Sequence, residues 1–221
     1  MKPIKFKEMN CTYAENQSEY LPLPAYKDFN GEVISCWSLS LYEDIISKTI
    51  SFNPTIISID SPLSLPTGRH CEDDSCECRK YGITRKCERI LKERGINVYP
   101  CLIKSMQKLT MRGIRLARAF EGKGFQVIES YPGAAQDIMG LPRKRVDLKA
   151  LEIDLMNMGI KPSSNKETVT HDEIDALTSA LVGYFYLAGD YEAIGDIKEN
   201  YLIIPDLRNG KDAGKVHKGG Q

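Results

Sequence analysis

The sequence predicts an α/β protein, with a mixed or mostly parallel central sheet flanked by helices, and three observations lead to it. Thr55-Ile56-Ile57-Ser58-Ile59-Asp60 is a nearly continuous β-branched run, the pattern of a strand covered on both faces. Phe125-Gln126-Val127-Ile128-Glu129 is a second short strand, set after a long helical stretch. Strands and amphipathic helices then alternate along the chain, as they do where helices cross between neighbouring parallel strands.

The elements follow in order. Within the first forty residues, Ile4 to Glu8 alternates like a short strand, and Tyr20 to Tyr26 is rich in Pro and Leu and reads as extended. Asn30-Gly31 has turn chemistry ahead of a strand over Val33–Trp37. Ser40, with Glu43 three residues on, is spaced to cap a helix that begins at Leu41 and ends before Asn53-Pro54. Ser61-Pro62 and Pro66-Thr67-Gly68 stop the strand that carries Asp60. A charged, cysteine-bearing excursion then runs from His70 to Arg94, with helix expected from Thr84 until Gly95 ends it. Lys104 to Phe120 predicts an amphipathic helix with Met106, Leu109, Gly113, Leu116 and Phe120 on its inner face. Tyr131-Pro132-Gly133 turns into further helix, and another is expected over Val146–Met158. The helix from His171 to Ala188 is the strongest of all, with Ile174, Leu177, Leu181, Tyr184 and Phe185 inward, and Tyr201–Pro205 reads as a short closing strand. The domain reading is a β-rich, atypical segment over 1–40, one compact unit over 41–206, and a Gly- and Lys-rich tail over 207–221 expected to be disordered.

Composition bounds the function. The chain has 221 residues, 42% of them apolar, and a formal net charge of +0, so a polyanion would have to be met by a local patch. No apolar run approaches membrane-spanning length and no signal-peptide core opens the sequence, so no membrane partner and a cytoplasmic address are expected. Seven cysteines, an odd number, favour reduced thiols or a metal over a disulfide framework.

The acids carry the chemistry. Asp60 ends one strand and Glu129 another, and in open α/β sheets ligands bind beyond the carboxyl ends of the strands. Asp172 and Asp175 are three apart in the last helix and so share a face. Carboxylates converging from separate elements repel unless a cation lies among them, and an all-oxygen set of this kind suits Mg²⁺ or Mn²⁺. The same residues have an ordinary structural reading: Thr170 and Glu173 are spaced as a capping box, Asp172 complements the helix dipole, and Asp60 could hold a turn. Asp175, set deeper beside the apolar stripe, is the acid that reading explains least.

Lys104, Lys108, Arg112, Arg115 and Arg118 lie opposite the apolar face of their helix, a stripe able to track the phosphates of DNA or RNA, although a solvated helix face looks the same. Arg143-Lys144-Arg145 is a second basic cluster. His70, Cys71, Cys76, Cys78 and Cys87 supply enough ligands for tetrahedral zinc, with the four cysteines as the expected set. The spacing is not that of paired C-x-x-C motifs, and Cys76-Glu77-Cys78 is an awkward bite for one ion, so free thiols are the favoured state.

Several separated motifs occur together in order. Ile59-Asp60-Ser61-Pro62-Leu63 resembles the Asp-x-Pro-Leu signature of the domain of unknown function 429 family, described as predicted nucleases of RNase H fold. Arg85-Lys86-Cys87-Glu88-Arg89, Leu109-Thr110-Met111-Arg112-Gly113, Glu129-Ser130-Tyr131-Pro132-Gly133 and Asp172-Glu173-Ile174-Asp175-Ala176-Leu177 continue the likeness over roughly residues 41–206. The resemblance implies an RNase H-like fold and a Mg²⁺- or Mn²⁺-dependent nuclease site in which Asp60, Glu129, Asp172 and Asp175 match motif positions, with Asp60, Asp172 and Asp175 as metal ligands. One departure stands out: the essential first-strand Asp of that fold, with its Gly-bearing turn, has no counterpart before residue 41, where Glu8 alone is placed to substitute. The alternative is therefore a catalytically impaired nucleic-acid-binding or scaffolding protein on the same fold, and a small phosphorylated metabolite is a third kind of substrate.

Overall fold

Three of the short apolar runs come together as neighbouring parallel strands. The computed structural model describes residues 31–32, 41–161 and 169–208, with backbone alone at 31, 32 and 161. Its elements are β1 (Gly31–Glu32), α1 (Tyr42–Ser51), β2 (Ile57–Asp60), α2 (Lys86–Glu93), α3 (Gln107–Glu121), β3 (Val127–Ser130), α4 (Pro132–Met139), α5 (Leu148–Asn157), β4 (Ile160–Lys161), α6 (His171–Ala188), β5 (Tyr191–Gly195) and β6 (Tyr201–Pro205). Short 3₁₀ turns at Glu77–Tyr81 and Ile197–Glu199 complete the set. The main sheet has four strands in the order β2-β3-β6-β5, while β1 pairs with β4 apart from it. β2, β3 and β6 are parallel and β5 is antiparallel to β6, so the sheet is mixed.

Alternation along the strands sends neighbours to opposite faces. Ile128 and Ile203 face one way and pack with Ile174, Leu181 and Phe185 of α6 and with Leu151 and Leu155 of α5. Ile57 and Ile59 face the other way, against Ile45 of α1 and Leu116, Ala117 and Phe120 of α3. Leu202 and Ile204 extend that second face onto Cys87 and Leu91 of α2. Helices therefore cover both faces, which is why β2 reads as an unbroken apolar run.

Several expectations are corrected. Gly113, Leu116 and Phe120 are buried on the inner face of α3 as expected, but Leu109 is 43% exposed, and Thr110, Ile114 and Ala117 complete that face. Thr110 belongs there because its hydroxyl donates to the Cys101 carbonyl at 2.6 Å. Lys104 precedes α3 rather than lying on it. The helix expected from Thr84 begins at Lys86, and β5 has no counterpart among the expected strands, since of its residues only Ile194 is buried. The strand over Val33–Trp37, Glu8, the Ser40 cap and the tail from Asn209 onward lie outside the described residues.

Candidate functional site

The carboxyl ends of β2 and β3 open into a crevice of about 610 Å³, walled by the segment after β3 and by residues 143–145. Asp60, the last residue of β2, lies half-buried on its edge. It shares a sheet face with its register partner Ser130, whose hydroxyl accepts from Ser58 Oγ at 2.9 Å. Asp175 approaches the same face from α6 and is 5% exposed. Its position is set by the start of α6, where Thr170 and Glu173 form the capping box expected from their spacing.

The acids are crowded. Burial, then the charge of Asp175, then that of Glu129, hold the Asp60 carboxyl well above the ordinary range. Burial likewise pushes Asp175 up to about 7, against the pull of Lys144 and Gln136. Gln136 Nε2 donates to Asp175 Oδ1 at 3.3 Å, and Lys144 Nζ stands 3.9 Å from Oδ2. Lys144 is itself buried, which draws its ammonium below its usual range although Asp175 opposes this. Asp172, one helical turn from Asp175, is raised by burial and by Glu173, and its charge adds to the load on Asp175.

Arg143 forms the cationic wall. Its guanidinium pairs with both carboxylate oxygens of Asp137 and lies 5.9 Å over the Tyr131 ring. Gly133 makes room for it: a Cβ there would come within 2.1 Å of Arg143 Nη1. The glycine of the Tyr-Pro-Gly motif thus has a packing reason that is invisible in the sequence.

Glu129 is placed differently from the other acids. It lies one residue before the end of β3, opposite Ile59, and so points to the face away from Asp60. It is 3% exposed, and its oxygens accept from Arg85 Nη1 at 2.7 Å, Arg85 Nη2 at 2.5 Å and the Leu63 amide at 2.8 Å. Arg85 also binds Glu88 at 2.9 Å, and these carboxylates hold the guanidinium firmly charged although burial works against it. Glu129 is therefore an anchor for the N-terminus of α2, with its bonding taken up by donors from the chain.

The basic stripe falls outside this crevice. Lys108, Arg112 and Arg115 line a second cleft together with Glu43 and Glu72, which come from outside α3. Lys104 is exposed ahead of α3.

Among the described residues, one group of three or more His, Cys, Asp or Glu side chains brings its ligand atoms within 4.8 Å of one another, and it is His70, Cys71, Cys76 and Cys78. The awkward bite expected of Cys76 and Cys78 does not prevent their convergence. Cys87 stands elsewhere, 1% exposed beneath β5 and β6, and His70 takes the fourth place. The four acids do not close into such a group. Asp60 and Asp175 influence one another through their charges.

Arg143 and Lys144 carry more of the site than the stripe on α3. Their signal in the sequence, a basic triplet, is identical to that of a solvated loop. No family model, curated protein or solved structure matches the chain. Among the described residues no helix is long and apolar enough to cross a membrane.

Proposed function

We propose that the chain is a divalent-metal-dependent phosphodiesterase acting on nucleic acid, built on an RNase H-like sheet of the kind its motifs resemble. The observation that carries this reading is the place of Asp60 at the carboxyl edge of parallel strands, in a crevice lined by Arg143 and Lys144, with the buried Asp175 held 3.9 Å from that same Lys144. The order of the motifs shared with the domain of unknown function 429 family supports it, as does the packing of the last acidic helix against the strand that carries Asp60. Five reduced thiols among the described residues suit a cytoplasmic address.

In this reading Asp60 and Asp175 would hold Mg²⁺ or Mn²⁺, with Asp172 one turn away as an outer partner. Bound there, such an ion supplies charge stabilisation at the phosphoryl group and acidifies water. The chain does the rest. The Arg143 guanidinium, fixed by Asp137 and Tyr131, presents a planar fork to a phosphate oxygen. Lys144 balances the charge of Asp175 and, as part of the crevice lining, adds a second cation beside Arg143. Asp60, crowded by Asp175, gives up its proton when an ion binds, so that its carboxylate can serve as a ligand. Glu129, itself in the lining of the crevice, keeps Arg85 and that wall in position.

The test is cleavage of a panel of single- and double-stranded DNA and RNA with Mg²⁺ or Mn²⁺. Asp60→Asn should lower the rate at least about 10³-fold, the scale on which removal of a central charged group acts, with the fold intact by circular dichroism. Gly133→Ala, which dislodges Arg143, should raise KM more than it lowers kcat. Hydrolysis that persists in chelator, or full activity in Asp60→Asn, rejects the reading.

The 3.9 Å approach of Lys144 to Asp175 favours a second reading, in which a resident cation replaces the metal and the protein binds nucleic acid without turnover. Salt-sensitive binding lost on charge reversal at Lys108, Arg112 and Arg115, with no cleavage, would select it.

A further inference from the structure

We infer that His70, Cys71, Cys76 and Cys78 form a structural zinc site that fastens the excursion between β2 and α2, separate from the carboxylate crevice and independent of the reaction proposed there. The geometry is that of a single ion. Cys71 Sγ and Cys78 Sγ are 3.5 Å apart, and His70 Nε2 is 3.4 Å from Cys76 Sγ. All four ligand atoms lie within 4.8 Å of one another. Around a tetrahedral zinc, with bonds of about 2.3 Å to sulfur and about 2.0 Å to nitrogen, ligands sit roughly 3.5–3.8 Å apart. The two close pairs match opposite edges of such a tetrahedron. Thiolate and imidazole select zinc over the hard ions suited to Asp60 and Asp175, and four protein ligands close the coordination sphere, which marks a structural site.

The excursion needs a fastening. Between Thr67 and Thr84 only Arg69 and Cys78 are buried, and the one regular element is the 3₁₀ turn at Glu77–Tyr81. So little apolar burial cannot hold eighteen residues in one shape. Its two ends are clasped by Glu199, whose carboxylate accepts from the Thr67 amide at 2.8 Å and the Lys86 amide at 2.5 Å. The middle is gathered by the four ligands.

Charge completes the case. Three thiolates and a neutral imidazole around Zn²⁺ leave one net negative charge. Arg69, 7% exposed, lies against the same turns and donates to the carbonyls of Cys71 at 3.0 Å, Asp73 at 3.3 Å and Gly82 at 3.4 Å. A buried guanidinium bonded to neutral carbonyls gains from a neighbouring anionic centre, and it holds the ligand backbone from behind.

The experiment is elemental analysis of the full chain purified without chelator from zinc-supplemented cells. One zinc per chain is expected, retained in Cys87→Ala and lost in Cys76→Ser. Replacement by Co²⁺ should give tetrahedral d–d bands with thiolate charge transfer, absent in Cys76→Ser. Should that variant fail to fold, the wild-type protein decides by itself: chelation should open residues 67–84 to protease, and added Zn²⁺ should restore at least tenfold protection. Arg69→Gln should weaken zinc at least tenfold in competition with a chromophoric chelator. Reduced wild-type protein that takes up no zinc, a Cys71–Cys78 disulfide by mass spectrometry, iron in place of zinc, or loss of metal in Cys87→Ala overturns the assignment.

Discussion

Asp60 and Glu129 leave neighbouring strands one register step apart, yet they end in opposite electrostatic conditions. Glu129 meets Arg85 and the Leu63 amide in a buried, hydrogen-bonded pair. Asp60, on the other face, meets Asp175, and among the described residues no ion pair reaches it. A buried acid with complete partners is part of the architecture, whereas acids whose charges oppose one another are groups the fold holds at a cost, and such groups concentrate where chemistry is done. The sheet separates the two roles by nothing more than the alternation of its strands.

The largest effect expected from disturbing this contrast is on the bonded side. Glu129→Gln leaves Arg85 buried with Glu88 as its remaining carboxylate and should cost about 3–5 kcal/mol in urea unfolding. A loss below about 1 kcal/mol would mean that the pair is not structural.

On the crowded side the sign reverses. A carboxyl raised in the folded state binds its proton more tightly there than in the unfolded chain. Its ionisation therefore removes stability as pH rises from the ordinary value of 3.8 through about 7. Asp175→Asn cannot ionise, so at pH 8 it should be more stable than wild type by ~1–3 kcal/mol, with a flatter profile between pH 4 and pH 7. Mg²⁺ at pH 8 should raise Tm in wild type and leave this variant unmoved. A destabilised variant would show instead that Lys144 already satisfies Asp175.

Gly113→Ala sharpens the comparison from beneath Asp60. A Cβ there would lie 2.3 Å from Ser61 Oγ and 2.9 Å from the Pro62 carbonyl, so α3 must draw back from the turn that follows β2. A loss of about 1–3 kcal/mol is expected from such overpacking, read as a fall in Tm. The smallest effect is at the helix start. Thr170→Ala removes the cap that aims Asp172 and Asp175 and should cost about 1 kcal/mol, with a matching drop in Mg²⁺ affinity if the two acids hold the ion.

Much of this molecule is legible in its sequence. α6 spans the residues its periodicity marks, His171 to Ala188, and its capping box forms because Thr170 and Glu173 are spaced for it. β6 likewise runs from Tyr201 to Pro205, and the β-branched run before Ser61 is a strand buried on both faces. These features depend on contacts within a few residues, so local pattern carries them. Tertiary structure alone decided the rest. Asp60 pairs in register with Ser130 rather than with Glu129, and because side chains alternate, that one-residue offset turns Glu129 away from Asp60 and toward Arg85. The choice of His70 over Cys87, and of Arg143 and Lys144 over the stripe on α3, likewise depends on which distant segments meet. Spacing along a chain cannot report that, because register and packing are properties of pairs of segments.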